Sequence, residues 1–293
     1  MAEPLRPEVL FVGSVHLDRM IQLAQLPAPG ETVIASESWS QLGGKAANQA
    51  MAAAAHPPVR SALMACVGED EDGRQAARTL RSLGVEPLLQ LAPQLATGSS
   101  VALLEASGEN VGVVLPGANV ALSAEPLAAR LRTQPPALLV CQWETRPDTL
   151  QAVLERGRAA GVPVLMNAAP WQEAYRPLLP LADHVVVNAV EAQAWTGTDP
   201  QGRRPRLPFG HPSVVVTLGA GGVLHYQHDE LTFDLQAPRV QARSSHGAGD
   251  HFVGVLATAL AQQQPLPAAL EQATASAARF VQLLHKHPLP AAP

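Results

Sequence analysis

Apolar and polar positions follow two different periods along this chain. A short unbroken apolar run at 9–12, closed by Gly13-Ser14, reads as a buried parallel strand whose C-terminal end opens onto a site, and Asp18 lies just beyond it. From 19 to 40 apolar and polar residues alternate around Pro27-Ala28-Pro29-Gly30, with Thr32, Val33 and Ile34 on the return, which predicts two strands of a small sheet. A second hairpin is predicted from 101–104 and 111–115 about the turn Ser107-Gly108-Glu109-Asn110. These strands, within about 16–40 and 97–118, form the expected small antiparallel β-sheet lid over a main sheet.

Between the hairpins a glycine pair, Gly43-Gly44, runs into an alanine-rich helix, followed by a strand at 61–67 and an amphipathic helix at 72–83 that Gly84 ends. From Ala137 the pattern becomes strand and helix in turn, with strands at 137–142, 162–166, 184–187 and 213–218 and helices near 147–160 and 189–196. Such alternation implies a mainly parallel sheet with right-handed crossovers. The connection 197–212 carries Pro200, Pro205, Pro208 and Pro212 with three arginines, poor helix material, so a patch of sheet without helical cover is expected there as a candidate contact surface. Two helices close the chain, one after Gly247 and one at about 267–284. The expected fold class is α/β, a three-layer single domain over 1–293.

Composition narrows this only slightly. A net charge of -5 gives no basic field for nucleic acid, and the two cysteines, Cys66 and Cys141, each lie in an apolar run that reads as a buried strand, against a disulfide framework or thiolate metal site. The stretch 1–8 has no secretory pattern and no apolar run approaches the ~18 residues of a membrane span, so a cytoplasmic protein with no nucleic-acid or membrane partner is expected. The histidines show no metal-ligand spacing.

The chemistry gathers at strand ends and helix starts. In Ser244-Ser245-His246-Gly247-Ala248-Gly249-Asp250, small residues precede a run of helical spacing, so the N–H groups of Gly247, Ala248, Gly249 and Asp250 converge at a helix N-terminus. A carboxylate inside such an anion site suits removal of a proton from a hydroxyl that attacks a phosphoryl group; an early-helix acid favoured by the macrodipole is the alternative. Lys45 and Asn48 share a helix's first turn and can face one ligand, the glycines before them permitting close approach, although a solvated lysine fits the same pattern. Asn188 and Glu191 have capping-box spacing and also suit a Mg2+-bound phosphate. Thr217-Leu218-Gly219-Ala220-Gly221-Gly222 ends a strand in a glycine-rich turn that is neither a Walker loop nor a dinucleotide fingerprint.

Taken in order, Gly13-Ser14 with Asp18, Pro29-Gly30-Glu31-Thr32, Gly43-Gly44-Lys45 with Asn48, Thr97-Gly98, Gly108-Glu109-Asn110, Gly117-Ala118-Asn119, Asn167 with Pro170, Asn188 with Glu191, Thr217-Leu218-Gly219 and Gly247-Ala248-Gly249-Asp250 resemble the ribokinase-like (PfkB) carbohydrate kinases, and among them the ribokinases, over about 9–283. The resemblance implies a central sheet flanked by helices, a β-sheet lid that often serves as a homodimer interface, and transfer of the γ-phosphoryl of ATP to a primary sugar hydroxyl, D-ribose at its 5-hydroxyl in the first place. By position it implies that Asp250 is the catalytic base and Gly247, Ala248 and Gly249 the anion hole. It implies that His16, Asp18, Gly43, Gly44, Lys45, Asn48 and Glu144 line the sugar site. Asn188 and Glu191 would serve Mg2+, through water, and phosphate, and Asn188, Thr217, Gly219 and Gly222 the nucleotide.

Departures from the family pattern matter equally. Ser244-Ser245-His246 stands where the family has Asp-Thr-Thr or close to it, and His285-Lys286-His287-Pro288 lacks the family's glycine, so the monovalent cation site at Ser244 and His246 is altered and stimulation by K+ is expected to be weak or absent. His16 replaces an asparagine and Ala46 a glycine. The hairpin from Thr97 to Asn119 has no Lys or Arg for a phosphosugar, whereas Trp39 or Trp143 offers a base-stacking surface. A nucleoside kinase of the same fold, and a catalytically impaired sugar-binding or regulatory member, are the alternative readings.

Overall fold

The computed structural model of the chain describes residues 6–105, 110–241 and 247–283. Strand β1 (Glu8–Val12) is wholly buried and leads into β2 (His16–Leu23), which pairs with β3 (Glu37–Gly43). The return strand therefore begins at Glu37 and runs to Gly43, past the expected end at 40, and Thr32, Val33 and Ile34 belong to the connection, with Ile34 95% exposed. Helix α1 (Lys45–Ala54) buries Gln49 and a face of small residues, Ala46, Ala47, Ala50 and Ala53, that let it lie close against its neighbours. After β4 (Arg60–Gly68), helix α2 (Glu71–Ser82) is capped by Asp70, whose carboxylate accepts from Gly73 N at 2.8 Å, and ends where Gly84 takes φ 81°. Strand β5 (Val85–Ala92) follows, then β6 (Ser99–Glu105) and β7 (Asn110–Leu115), the two halves of the second hairpin.

An unexpected helix, α3 (Glu125–Thr133), precedes the second half, which holds the expected alternation: β8 (Leu138–Gln142), α4 (Pro147–Ala159), β9 (Val164–Asn167), β10 (His184–Asn188), α5 (Ala189–Thr196), β11 (Ser213–Thr217), β12 (Val223–Gln227), β13 (Glu230–Leu235), α6 (Ala248–Ala261) and α7 (Leu266–Leu283). Among the described residues nine strands form one sheet in the order β13-β12-β11-β10-β9-β8-β1-β4-β5, parallel from β11 through β5 and antiparallel at β12 and β13. The lid sheet has the order β3-β2-β6-β7; each hairpin is antiparallel, and the two join through parallel pairing of β2 with β6. One apolar core packs between the main sheet and α1, α6 and α7, and a second lies on its other face beneath α3, α4 and α5. Cys66 and Cys141 are buried free thiols, Cys141 being pushed up to about 12 by burial. No helix among the described residues is long and apolar enough to cross a membrane.

The connection 197–212 contains no α-helix, yet it packs its own side chains against the neighbouring strand and helix where an open patch was expected. Leu207 and Phe209 are 1% and 4% exposed, and Phe209 meets Trp195 at 5.0 Å and Tyr226 at 5.3 Å. Prolines deny the segment a helix, and its own apolar side chains take over the covering role.

Beside this segment lies a histidine cluster. Ser213 Oγ sits between His184 Nδ1 (2.8 Å) and His225 Nε2 (2.9 Å), while Ser213 N donates to His211 Nδ1 at 3.1 Å, which leaves His211 Nε2–H to donate to Ala182 O at 3.1 Å. Burial, then the neighbouring His184, lower the pKa of His225 to about 4. The unfolded chain takes up that proton more readily, so the cluster's stabilisation is complete above pH ~6.5 and is lost between ~6.5 and ~4, by up to ~3 kcal/mol for His225. Melting temperature should fall steeply across that interval, and less steeply in His225→Asn; equal slopes would rule the cluster out as the cause.

Candidate active site

The C-terminal ends of β1 and β8 and the start of α1 meet at one carboxylate. Gly44, the N-cap of α1, has φ 92°, and a Cβ there would stand 2.7 Å from Ser14 O, so only glycine fits and the helix has no side-chain cap of its own. Glu144 takes that place from across the sheet: its Oε2 accepts from Lys45 N at 2.9 Å and from Ser14 Oγ at 2.5 Å. A residue expected to touch a sugar thus also fixes the helix start that carries Lys45 and Asn48.

On the lid side, Asp18 is buried on β2 and its Oδ1 accepts from Ser100 Oγ at 2.6 Å. A Cβ at Gly43 would fall 1.9 Å from Asp18 Oδ2, so the missing side chain at 43 is what gives the carboxylate its place. His16, also buried, pairs with Gly43 across β2 and β3, and its ring lies against Gly98.

Asp250 stands in the first turn of α6, whose N-cap Gly247 (φ 72°) supplies no side-chain cap, so the N–H groups of Ala248, Gly249 and Asp250 open the helix towards a cavity of about 220 Å3. Lys45, Asn167, Asn188, Glu191 and Thr217 share the lining of that cavity with Gly247, Gly249 and Asp250. The Asp250 carboxylate accepts from Gln49 Nε2 at 3.0 Å on Oδ1 and from Asn48 Nδ2 at 3.3 Å on Oδ2. Burial raises its pKa above the ordinary range, against the pull of Lys45, Gln49 and Asn48. For Lys45, burial disfavours the charge, but Asp250, Glu144 and Glu191 together outweigh it, so the ammonium is held protonated. The capping-box reading of the Asn188 and Glu191 pair holds: Asn188 Oδ1 accepts from Glu191 N at 2.9 Å and Glu191 Oε2 from Asn188 N at 2.7 Å; both residues also line the cavity. Burial pushes the Glu191 carboxyl up, while Asn188 N–H and Lys45 pull it down and Asp250 pushes it up further.

The glycine-rich turn divides. Thr217 lines the cavity and Gly219 (φ 57°) has open space beside it, but Gly222 (φ 96°) packs where a Cβ would stand 1.9 Å from Leu235 O, so its side is taken by backbone. Arg203 pins the turn, donating from Nη2 to Gly221 O at 2.5 Å and from Nη1 to Asp234 Oδ1 at 2.6 Å. Ser244 and His246 lie outside the described residues, as does 285–288. Trp143 offers no stacking surface: it is 1% exposed, stacked on Tyr175 at 5.2 Å and tilted on Trp171 at 5.0 Å, because alternation at the end of β8 turns it into the core while Glu144 turns to the site. Gln49 and Gln142 join the site's hydrogen bonds without having been singled out, and Ser14 and Asn167, named only as part of the family pattern, join them too; for Gln49 the signal available was an amide on the alanine-lined, buried face of a helix.

A model of the pfkB family of carbohydrate kinases matches residues 6–285. The chain belongs to that family. Ribokinase of Mus musculus is 31% identical over 277 residues, 88% of this chain and 85% of its own, and deoxyribokinase of Salmonella typhi is 29% identical over 281 residues, 92% and 91%. The solved structure of Arabidopsis thaliana ribokinase complexed with ribose and ATP shares the fold with a TM-score of 0.84 at 25% identity, over 95% of this chain and 94% of that one. This pfkB-family member is accordingly a kinase that transfers a phosphoryl group to a sugar hydroxyl.

Proposed function

We propose that this kinase uses ATP to phosphorylate D-ribose at its 5-hydroxyl, with Asp250 as the general base. The observation that carries the reading is the Asp250 carboxylate set among open helix N–H groups, with amide donors on both oxygens and the Lys45 ammonium nearby. Asp18, Gly43, Gly44, Lys45, Asn48 and Glu144 hold the sugar, and His16 borders it. As the hydroxyl oxygen bonds to the γ-phosphorus and the bond to the bridging oxygen breaks, releasing ADP, the hydroxyl proton passes to Asp250. The N–H groups of Ala248, Gly249 and Asp250 face the charge on the transferred group.

The donor set near the phosphates suits Mg2+ held mainly by water and phosphate oxygens. Among the described residues no cluster of three His, Cys, Asp or Glu side chains forms a metal cage, but Glu191 keeps Oε1 outside its capping bond. Glu191 would bind metal water, Asn188 would offer its amide Nδ2 to a phosphate oxygen, and the ion would neutralise phosphate charge. Thr217 and Gly219 receive the nucleotide. The ribokinase relatives and the ribose and ATP complex of one of them support both substrates. Burial of Trp143 removes one support for a nucleoside acceptor.

The exposed edge strand β7, with Val111, Val113, Val114 and Leu115 each at least half exposed, supports a homodimer through the lid. Both sheets make one kinase unit, and the buried free thiols suit a cytoplasmic enzyme.

ATP consumption should be measured across pentoses, 2-deoxyribose, hexoses and nucleosides, with and without K+. We expect the highest kcat/KM with ribose and little change on adding K+. A nucleoside preferred over ribose overturns the acceptor assignment, and ribose binding without turnover on any acceptor overturns activity.

A further inference from the structure

A chain of buried amides runs from the core to Asp250, and one backbone carbonyl fixes the orientation of most of it. At the Asn167 end, Val186 presents only its carbonyl oxygen, so the Asn167 atom 3.1 Å away is the donor Nδ2. Asn167 Oδ1 therefore faces Gln49, and the Gln49 atom 3.0 Å from it is Nε2. That nitrogen has two hydrogens: one goes to Asn167 Oδ1, the other to Asp250 Oδ1 at 3.0 Å. Gln49 Oε1 is left to accept from Gln142 Nε2 at 2.6 Å. Gln142 Oε1 then ends the chain buried and, among the described residues, without a partner, in a space kept open by Gly13, where a Cβ would lie 2.3 Å from it.

A buried amide oxygen without a partner is destabilising, and this one accompanies a chain that presents an N–H to the Asp250 carboxylate. We propose that Gln49 is a positioning residue that occupies Oδ1 of Asp250 and leaves Oδ2 as the oxygen that takes the substrate proton, with Gln142 locking the Gln49 amide in its donating orientation. The proposal rests on the general-base reading of Asp250. Oδ2 is the less engaged oxygen, with only the longer 3.3 Å contact from Asn48. Were Gln49 reversed, its oxygen would face both the carboxylate and Asn167 Oδ1, so the donating orientation is the one with every contact attractive except at Gln142 Oε1. Among the described residues the charged groups around Asp250 are Lys45 of α1, Glu144 beyond β8 and Glu191 of α5, and His251 turns away to Ser276 Oγ at 3.0 Å.

The test compares Gln49→Met, Gln142→Met and Asp250→Asn for folding by thermal melting, for kcat and sugar KM, and for the pH dependence of kcat/KM. In folded Gln49→Met, kcat should fall roughly 10²-fold with sugar KM little changed. The acid limb of kcat/KM should move to higher pH, because a carboxylate that loses a donor is harder to ionise. A role confined to packing would not move that limb. Gln142→Met should shift the limb in the same direction with a smaller loss of kcat, and it decides the matter if Gln49→Met does not fold. An unmoved acid limb in whichever variant is folded overturns the proposal. If Asp250→Asn itself turns over normally, the general-base reading fails and this proposal falls with it; if Asp250→Asn is inactive and the glutamine variants behave as wild type, the positioning role alone falls.

Discussion

Asp250→Asn is expected to abolish turnover and to leave sugar binding largely in place. The substitution keeps the shape of the side chain and an oxygen for Gln49 Nε2, and it leaves untouched the groups proposed to hold the sugar: Asp18 with its bond from Ser100, Gly43 behind it, and Glu144 at the start of α1. What it removes is the carboxylate proposed to accept the hydroxyl proton at the open end of α6. Loss of a general base of this kind typically lowers the rate ~10²- to 10⁴-fold. The measurement is a single-turnover rate with ATP and ribose beside a calorimetric titration of the sugar. Wild-type turnover in a folded Asp250→Asn enzyme would remove Asp250 from the mechanism.

The second large effect comes from a glycine with no part in the chemistry. Gly254 lies on α6 where the helix crosses α1, and a Cβ there would stand 2.4 Å from Gln49 O and 2.7 Å from Ala52 Cβ. The first of these is backbone and cannot rotate aside. Alanine in a helix ordinarily gains up to ~1 kcal/mol over glycine, but forcing two packed helices apart costs about 1–3 kcal/mol or more, so Gly254→Ala is expected to be destabilising. It also carries the backbone of Gln49 and Asn48 away from Asp250, so kcat should fall along with the urea midpoint. Gly157→Ala on α4 is the comparison: its Cβ would meet Leu139 Cδ2 at 2.9 Å, the tip of a side chain that can shift, and both stability and turnover should stay near wild type. Equal urea midpoints for the two variants would show that the α1 and α6 crossing is not as tight as described.

Much of this architecture could be read from apolar period, because strands buried on both faces, such as β8, β10 and β11, are short unbroken apolar runs. Strand β5 escaped that reading. Its sequence alternates imperfectly around Pro87, which an edge strand tolerates and a central strand would not, and its place beside β4 is set by tertiary pairing. Thr32, Val33 and Ile34 misled for the opposite reason: β-branched residues favour a strand only where one is paired, and here β2 pairs with Glu37–Gly43 instead. The cavity residues were legible as glycines and polar residues at helix starts. Glu144 as a cap for a distant helix, and Gln49 and Asn167 as partners around Asp250, were not, because those contacts join positions about 100 to 200 residues apart and no local spacing records them.

The aromatic run under α5 has a consequence for spectroscopy. Of the four tryptophans, Trp143, Trp171 and Trp195 each lie within 5.6 Å of another ring in that run, whereas Trp39 stands on β3 in the lid sheet. Intrinsic emission therefore divides between three indoles linked in series through Trp171 on one side of the main sheet and one indole in the other sheet. A change of emission on adding sugar that disappears in Trp39→Phe is a signal from the lid sheet, obtained without a label, and the signal from the other three reports whether the main sheet stays folded during the same titration.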